Sequence, residues 1–265
     1  MLKRILNKRP RKNSGPLGEV LAQYNPRFKN KILNHRILFQ QDIVEDLREK
    51  SSARIPTEDS IDLSGTVCAG VCYWTAVSIL GQEERSITEF IEDVYDPSKE
   101  IKHPLGLDHV KFVKYLNQIN SKIYGLTLNP FREQEPKKFK LYNGYTGKEA
   151  ENFFVNSYKN IHNTSSAVKE ILNNSGFAVV SIQGTFNNYS PNFHDILVLG
   201  QKDDSFLIMD PDARVYFNTE KIRPEEIVSI KKSPGLYLVN SDYLDKNTYR
   251  EKPSPGGITI GIFKS

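Results

Sequence analysis

From Phe177 onward the sequence is a succession of short apolar runs, "FAVVSIQG", "HDILVLGQ", "SFLIMDPD", "RVYFN", "GLYLVN" and "GITIGIFK". Turn-forming clusters such as "TFNNYSPN", "KDD" and "DPDA" separate several of them. Each run has the length of a strand and is too short for a stable helix. Strands that follow one another through short turns pair antiparallel, and "HDILVLGQKDDSFLIMD" reads as one such hairpin with "KDD" as its turn. Whatever precedes this region must therefore cover a sheet.

The preceding half has helical character. "RILFQQDIVEDLREK" sets Ile37, Leu38, Gln41, Val44 and Leu47 near one face,. "VCAGVCYWTAVSIL", residues 67 to 80, is apolar almost all round, which predicts a buried helix stopped by Gly81,. "SITEFIEDVYD" opens with Ser86 and Glu89 in capping-box spacing, and "GLDHVKFVKYLNQIN" carries a stripe of Leu107, Val110, Val113 and Leu116,. "KIYGLTL" suits a strand. "SSAVKEILNNSG" predicts a helix capped by Ser165 or Ser166 and ended by Gly176,. Helices first and antiparallel strands afterwards give an α+β fold.

With 265 residues, 38% of them apolar, the chain can build one substantial core,. The reading is a basic flexible tail over residues 1–16 and a single domain over 17–265, with 129–163 as an insertion. Lys3, Arg4, Lys8, Arg9, Arg11 and Lys12 fall in the first twelve residues without an acid. Such a tail suits solvent or an anionic membrane surface, and no specific nucleic-acid binding is expected. It lacks the apolar core of a secretory signal, and no apolar run approaches a membrane span.

The only cysteines, Cys68 and Cys72, lie four apart in "GTVCAGVCYW". Two thiols cannot complete a tetrahedral metal site, so no metal or cofactor is expected. On a helix their Cβ vectors run nearly parallel, which disfavours a disulfide. Cys68 falls where loop becomes helix, where the dipole and free N–H groups lower a thiol pKa and can hold an oxyanion. Cys72, a turn deeper, and Trp74 read as core. His194 opens an apolar strand, and Asp210 closes the next one. With the turn near residue 203, both arrive at the same end of neighbouring strands, where an acid can orient an imidazole. Asp195 follows His194 directly, and successive strand side chains point to opposite faces, so it is excluded as that acid. Cys68, His194 and Asp210 are thus the candidate catalytic residues.

The order of nucleophile on a helix, then His, then Asp resembles the papain-like cysteine peptidase superfamily. One similar branch is the bacteriocin-leader-processing peptidases, with "CGPxSLAMVLxxxG" followed by His, an apolar run, a polar turn, an apolar run and "DP". Here "CAGVCYWTAVSILG" places Gly81 thirteen after Cys68, and "HDILVLGQKDDSFLIMDP" matches the second part. The other is the YopT-type effector proteases, whose "GxCxGLSxxW" resembles "GTVCAGVCYW" with Trp74 one residue early. The resemblance implies a papain-like fold in which the catalytic helix packs on the antiparallel sheet, and it selects Cys68 over Cys72. It also implies a thiol hydrolase that cleaves a protein or peptide substrate, in the manner of a bacterial effector or toxin. Such a protein would be cytoplasmic or delivered into a host cell by a specialised secretion system. An acyltransferase, transglutaminase or deamidase would use the same triad, and a non-catalytic binding module could keep the fold. The sequence departs from the family at Asp62, where a Gln that helps form the oxyanion hole is usual. Ser64, Thr66, Gln40, Gln41 and Gln183 are the substitute donors to consider.

Overall fold

The computed structural model describes residues 16–35, 39, 43, 67–81, 83–94, 102–103, 106–107, 126–128, 163–183, 193–212, 227–229, 233, 235–247 and 258–263. The basic tail up to residue 15, most of the helix expected over 36–50, the helix expected over 106–120 beyond its first two residues, most of the expected insertion and the run "RVYFN" lie outside these residues. Gly106 and Leu107, assigned above to that helix, pair as a short strand instead. Pro16, assigned above to the tail, is the first residue of a helix.

Seven strands form one antiparallel sheet: β3 (Leu126–Leu128), β4 (Gly176–Gln183), β5 (Phe193–Lys202), β6 (Ser205–Met209), β7 (Ile227–Ser229), β8 (Leu236–Asn240) and β9 (Ile258–Phe263). Their spatial order is β3-β9-β4-β5-β6-β8-β7, with β3 and β7 at the edges and β5 central among the five interior strands. A separate two-stranded ladder pairs β1 (Lys102–His103) with β2 (Gly106–Leu107). The architecture is α+β, a mixture of helices and antiparallel sheet.

Both faces of strands β4, β5, β6, β8 and β9 are largely buried, which is why these strands carry long apolar runs rather than a strict alternation,. One face presents Phe177, Val179, Leu197, Leu199, Leu207, Met209, Leu236, Ile260 and Ile262 to a core shared with α1 (Pro16–Tyr24), α2 (Lys29–Asn34), α3 (Cys68–Leu80) and α4 (Ile87–Val94). The opposite face presents Ala178, Val180, Ile182, Ile196, Val198, Phe206, Ile208, Tyr237 and Val239 to α5 (Thr164–Asn173) and α6 (Ser241–Asn247). The molecule is therefore layered helix, sheet, helix. Period-two alternation sorts odd and even residues of β4 and β5 onto the two cores.

The central helix α3 is buried at every residue except Trp74 and Ser78. It ends because Gly81 turns left-handed, φ 77 and ψ 34, and donates its N–H back to the carbonyls of Ser78 and Val77,. Ser86 and Glu89 form the expected capping box at α4: the Ser86 N–H donates to Glu89 Oε2 at 2.8 Å, and the Glu89 N–H returns to Ser86 Oγ at 3.3 Å,. The ends of α5 differ from the sequence reading. Asn163, not a serine, is the N-cap and accepts the Ser166 N–H at 2.8 Å. Ser165 is instead engaged by Asp245 of α6, through its N–H at 2.8 Å and its hydroxyl at 2.9 Å. At the other end Ser175 takes the positive φ, 65, and Gly176 is already in β4.

The hairpin β5–β6 turns tightly, with Lys202 opposite Ser205 and Asp203 at φ 53. Its ladder is interrupted between Val198 and Gly200, where β5 carries one residue more than β6,. There α1 comes down onto the strand: a Cβ on Gly200 would lie 2.5 Å from the Tyr24 carbonyl oxygen, and Asn25 donates its side-chain amide to the Leu199 carbonyl. Only glycine admits this approach.

Candidate active site

Cys68 is the first residue of α3. Val67 stands at the N-cap with no side-chain hydrogen bond, and the first turn holds no acid. The first turn therefore offers its leading N–H groups with no carboxylate of its own to occupy them,. Beneath it lies the end of the sheet where β5 begins and β6 finishes.

His194 Nε2 and Asp210 Oδ1 are 2.7 Å apart. The side chains are 3% and 0% exposed. A carboxylate only accepts, so Nε2 carries the hydrogen and Nδ1 remains for a second partner. Asp210 is itself anchored: its N–H donates to the Gly235 carbonyl at 2.8 Å, and Oδ1 also accepts the Asp212 N–H at 2.8 Å. The other oxygen, Oδ2, is buried with no hydrogen-bond partner among the described residues. Burial alone would lower the His194 pKa, but the Asp210 charge and hydrogen bond, helped by the Cys68 sulfur, hold it well above its ordinary 6.5,.

The sulfur also meets a residue outside the expected triad. Asp195, the residue set aside above, is 5% exposed. Its side chain lies on the face of Leu197 and Leu199, turned toward α3. Cys68 Sγ donates to Asp195 Oδ2 at 3.8 Å, and Ser181 Oγ, from the facing position of β4, donates to Oδ1 at 2.6 Å. Burial pushes the Cys68 thiol up, His194 pulls it down, and the Asp195 charge pushes it up again; the outcome lies above the ordinary value of 9.0. The expectation of a lowered pKa rested on the helix terminus alone. It omitted the desolvation of a side chain that is 3% exposed and the carboxylate beside it,.

Cys72 is fully buried, and its Sγ donates to the Asp195 backbone carbonyl at 3.4 Å. Burial, then the Asp195 charge, pushes its pKa well above 9.0. It is a core thiol. Both cysteines are free. Trp74 packs against the core at partial burial and donates Nε1 to the Arg85 carbonyl at 3.0 Å. His35 lies against it, ring centroids 5.1 Å apart, and burial lowers the His35 pKa to about 4, so this imidazole stays neutral. Gln183 ends β4 opposite Phe193, one step from the Ile182–His194 pair. Asp62, Ser64, Thr66, Gln40 and Gln41 lie outside the described residues.

Among the described residues no group of three or more His, Cys, Asp or Glu side chains is arranged to hold a metal ion. No helix among them is long and apolar enough to cross a membrane. A scan against protein-family models finds no match to this sequence, and a search of curated proteins finds none either.

Proposed function

We propose that the protein is a papain-like cysteine protease with Cys68 as nucleophile, His194 as its base and Asp210 as the group that orients the base. The observation that carries this reading is the buried 2.7 Å contact between His194 and Asp210 at the foot of a helix that begins with Cys68. Burying an imidazole and a carboxylate carries a desolvation cost, so the pair contributes little to stability by itself, and beside a thiol it has the arrangement of a base and its orienting acid.

In the reaction the neutral imidazole of His194, its Nε2–H held by Asp210, takes the Cys68 Sγ proton on Nδ1, and the thiolate attacks the scissile carbonyl carbon. The oxyanion faces the free N–H groups at the start of α3. His194 then returns the proton to the departing amine, leaving a thioester on Cys68. Water, deprotonated by the same imidazole, releases the acid and restores the thiol. Asp210 keeps Nε2–H occupied throughout and stabilises the imidazolium. The substrate class is protein or peptide.

The test is differential alkylation with iodoacetamide, located by peptide mass analysis. Cys68 should react and Cys72 should not. His194→Ala should slow Cys68 by about tenfold or more between pH 6 and 7, because the imidazolium partner of the thiolate is lost. Equal labelling of the two cysteines, or a rate indifferent to His194, would sink the triad. Cleavage of a peptide library, abolished in Cys68→Ala, would then identify the substrate.

A further inference from the structure

Cys68 has two partners. Its thiol is directed at Asp195 Oδ2, 3.8 Å from the sulfur, and His194 lies close enough to act on the same sulfur as a hydrogen-bonding group. His194 and Asp195 are neighbours on β5 but point to opposite faces, so the thiol stands between an imidazole and a second carboxylate. Asp195 is built into this place rather than reaching it loosely. Its Oδ1 is held by the Ser181 hydroxyl at 2.6 Å, its backbone carbonyl takes the Cys72 thiol at 3.4 Å, and its side chain is shut from solvent.

We propose that Asp195 is a positioning residue that restrains the nucleophile at rest, its Oδ2 competing with His194 for the Cys68 S–H. This regulation rests on the triad reading and concerns the same sulfur. Activation then consists of turning the thiol: the S–H bond leaves Oδ2, swings to His194 and gives up its proton there, with no other reactant involved. A negative charge next to the sulfur also opposes formation of a second one, so the thiolate gains little ground until this contact is broken. The titratable groups that face Cys68 are Asp195 and His194 from β5, with Asp210 behind the imidazole and Cys72 one turn along α3. From β4 the neutral Ser181 hydroxyl reaches Asp195. The device would keep a reactive thiol quiet in a protein that has not met its substrate.

Asp195→Asn keeps the shape and the Ser181 partner while removing the charge. It should alkylate at Cys68 about tenfold faster at pH 7 than the wild type, with the midpoint of the pH profile moved down. Ser181→Ala should act the other way, slowing the reaction by a few-fold, because the carboxylate loses its neutral donor and holds the thiol proton more firmly. A purely structural role would slow or leave unchanged both variants. Faster labelling in Asp195→Asn together with slower labelling in Ser181→Ala supports the restraint, and an unchanged or slower Asp195→Asn overturns it. Should that variant fail to fold by circular dichroism, Asp195→Ser takes its place: faster labelling at Cys68 upholds the restraint, and unchanged or slower labelling overturns it. Failure of the triad would show separately, as indifference to His194→Ala with the Asp195 effect intact.

Discussion

A buried imidazole keeps its proton only while a carboxylate holds it, and here that carboxylate is Asp210. Because the folded pKa of His194 lies above 6.5, the pair's contribution to stability is fully present below that pH and is lost as pH rises through the folded value,. Asp210→Ala, which strands the histidine, should cost about 3–5 kcal/mol near pH 6. Urea titrations at rising pH should show that cost shrinking; a cost independent of pH would mean that the pair is not ionised as described. These two residues could be read from the sequence because each stands at the end of an apolar run, where a polar side chain is conspicuous. Asp195 was equally visible, and alternation correctly removed it as the partner of His194. The same alternation puts it on the face of Leu197 and Leu199, the face that packs against α3,. The raised thiol pKa is hidden from sequence: a helix terminus is legible there, whereas desolvation depends on what packs above it,.

At the scale of elements, long apolar segments declared themselves and short polar ones did not. The helix over "CAGVCYWTAVSIL" and the strands β4, β5, β6, β8 and β9 follow from length and composition. Helices α1 and α6 and strand β7 carry too few periodic residues to stand out, and α6 matters because Asp245 reaches across to the first turn of α5. The cap of α5 was placed two or three residues late. "NTSS" offers four adjacent capping side chains, and only packing decides among them. Asn163→Ala should lower stability by about 1 kcal/mol, measured by urea denaturation. Ser166→Ala, which leaves the backbone N–H to Asn163 in place, should change it by less than half of that. A reversed order would contradict the assignment of the cap.

Across the whole molecule, the sheet is a wall with the candidate site at one end of β5 and the α1 contact near the other. Gly200 lies six residues beyond His194, on the order of 20 Å along the strand. Gly200→Ala forces a methyl against the Tyr24 carbonyl and should cost about 1–3 kcal/mol,. It should still leave the alkylation rate of Cys68 within about twofold, since the two ends share no contact. A large loss of Cys68 reactivity in this variant, with the fold retained, would mean that strain at α1 is transmitted down the strand.

The extra residue between Val198 and Gly200 fixes more than a local bend. Counting back from the Lys202–Ser205 pair without it, Asp210 would sit opposite Leu197 and share that residue's face, beside Asp195,. With it, Leu197 pairs with Met209, and Asp210 falls on the even-numbered side with His194. One residue therefore sets the parity of the hairpin and so decides which of the two faces receives the acid. With that irregularity and the tight turn retained, the stretch from His194 to Asp210 can lengthen or shorten only by equal additions or losses on both strands. A single deletion, at a position that touches neither residue, would separate the pair as completely as mutating it.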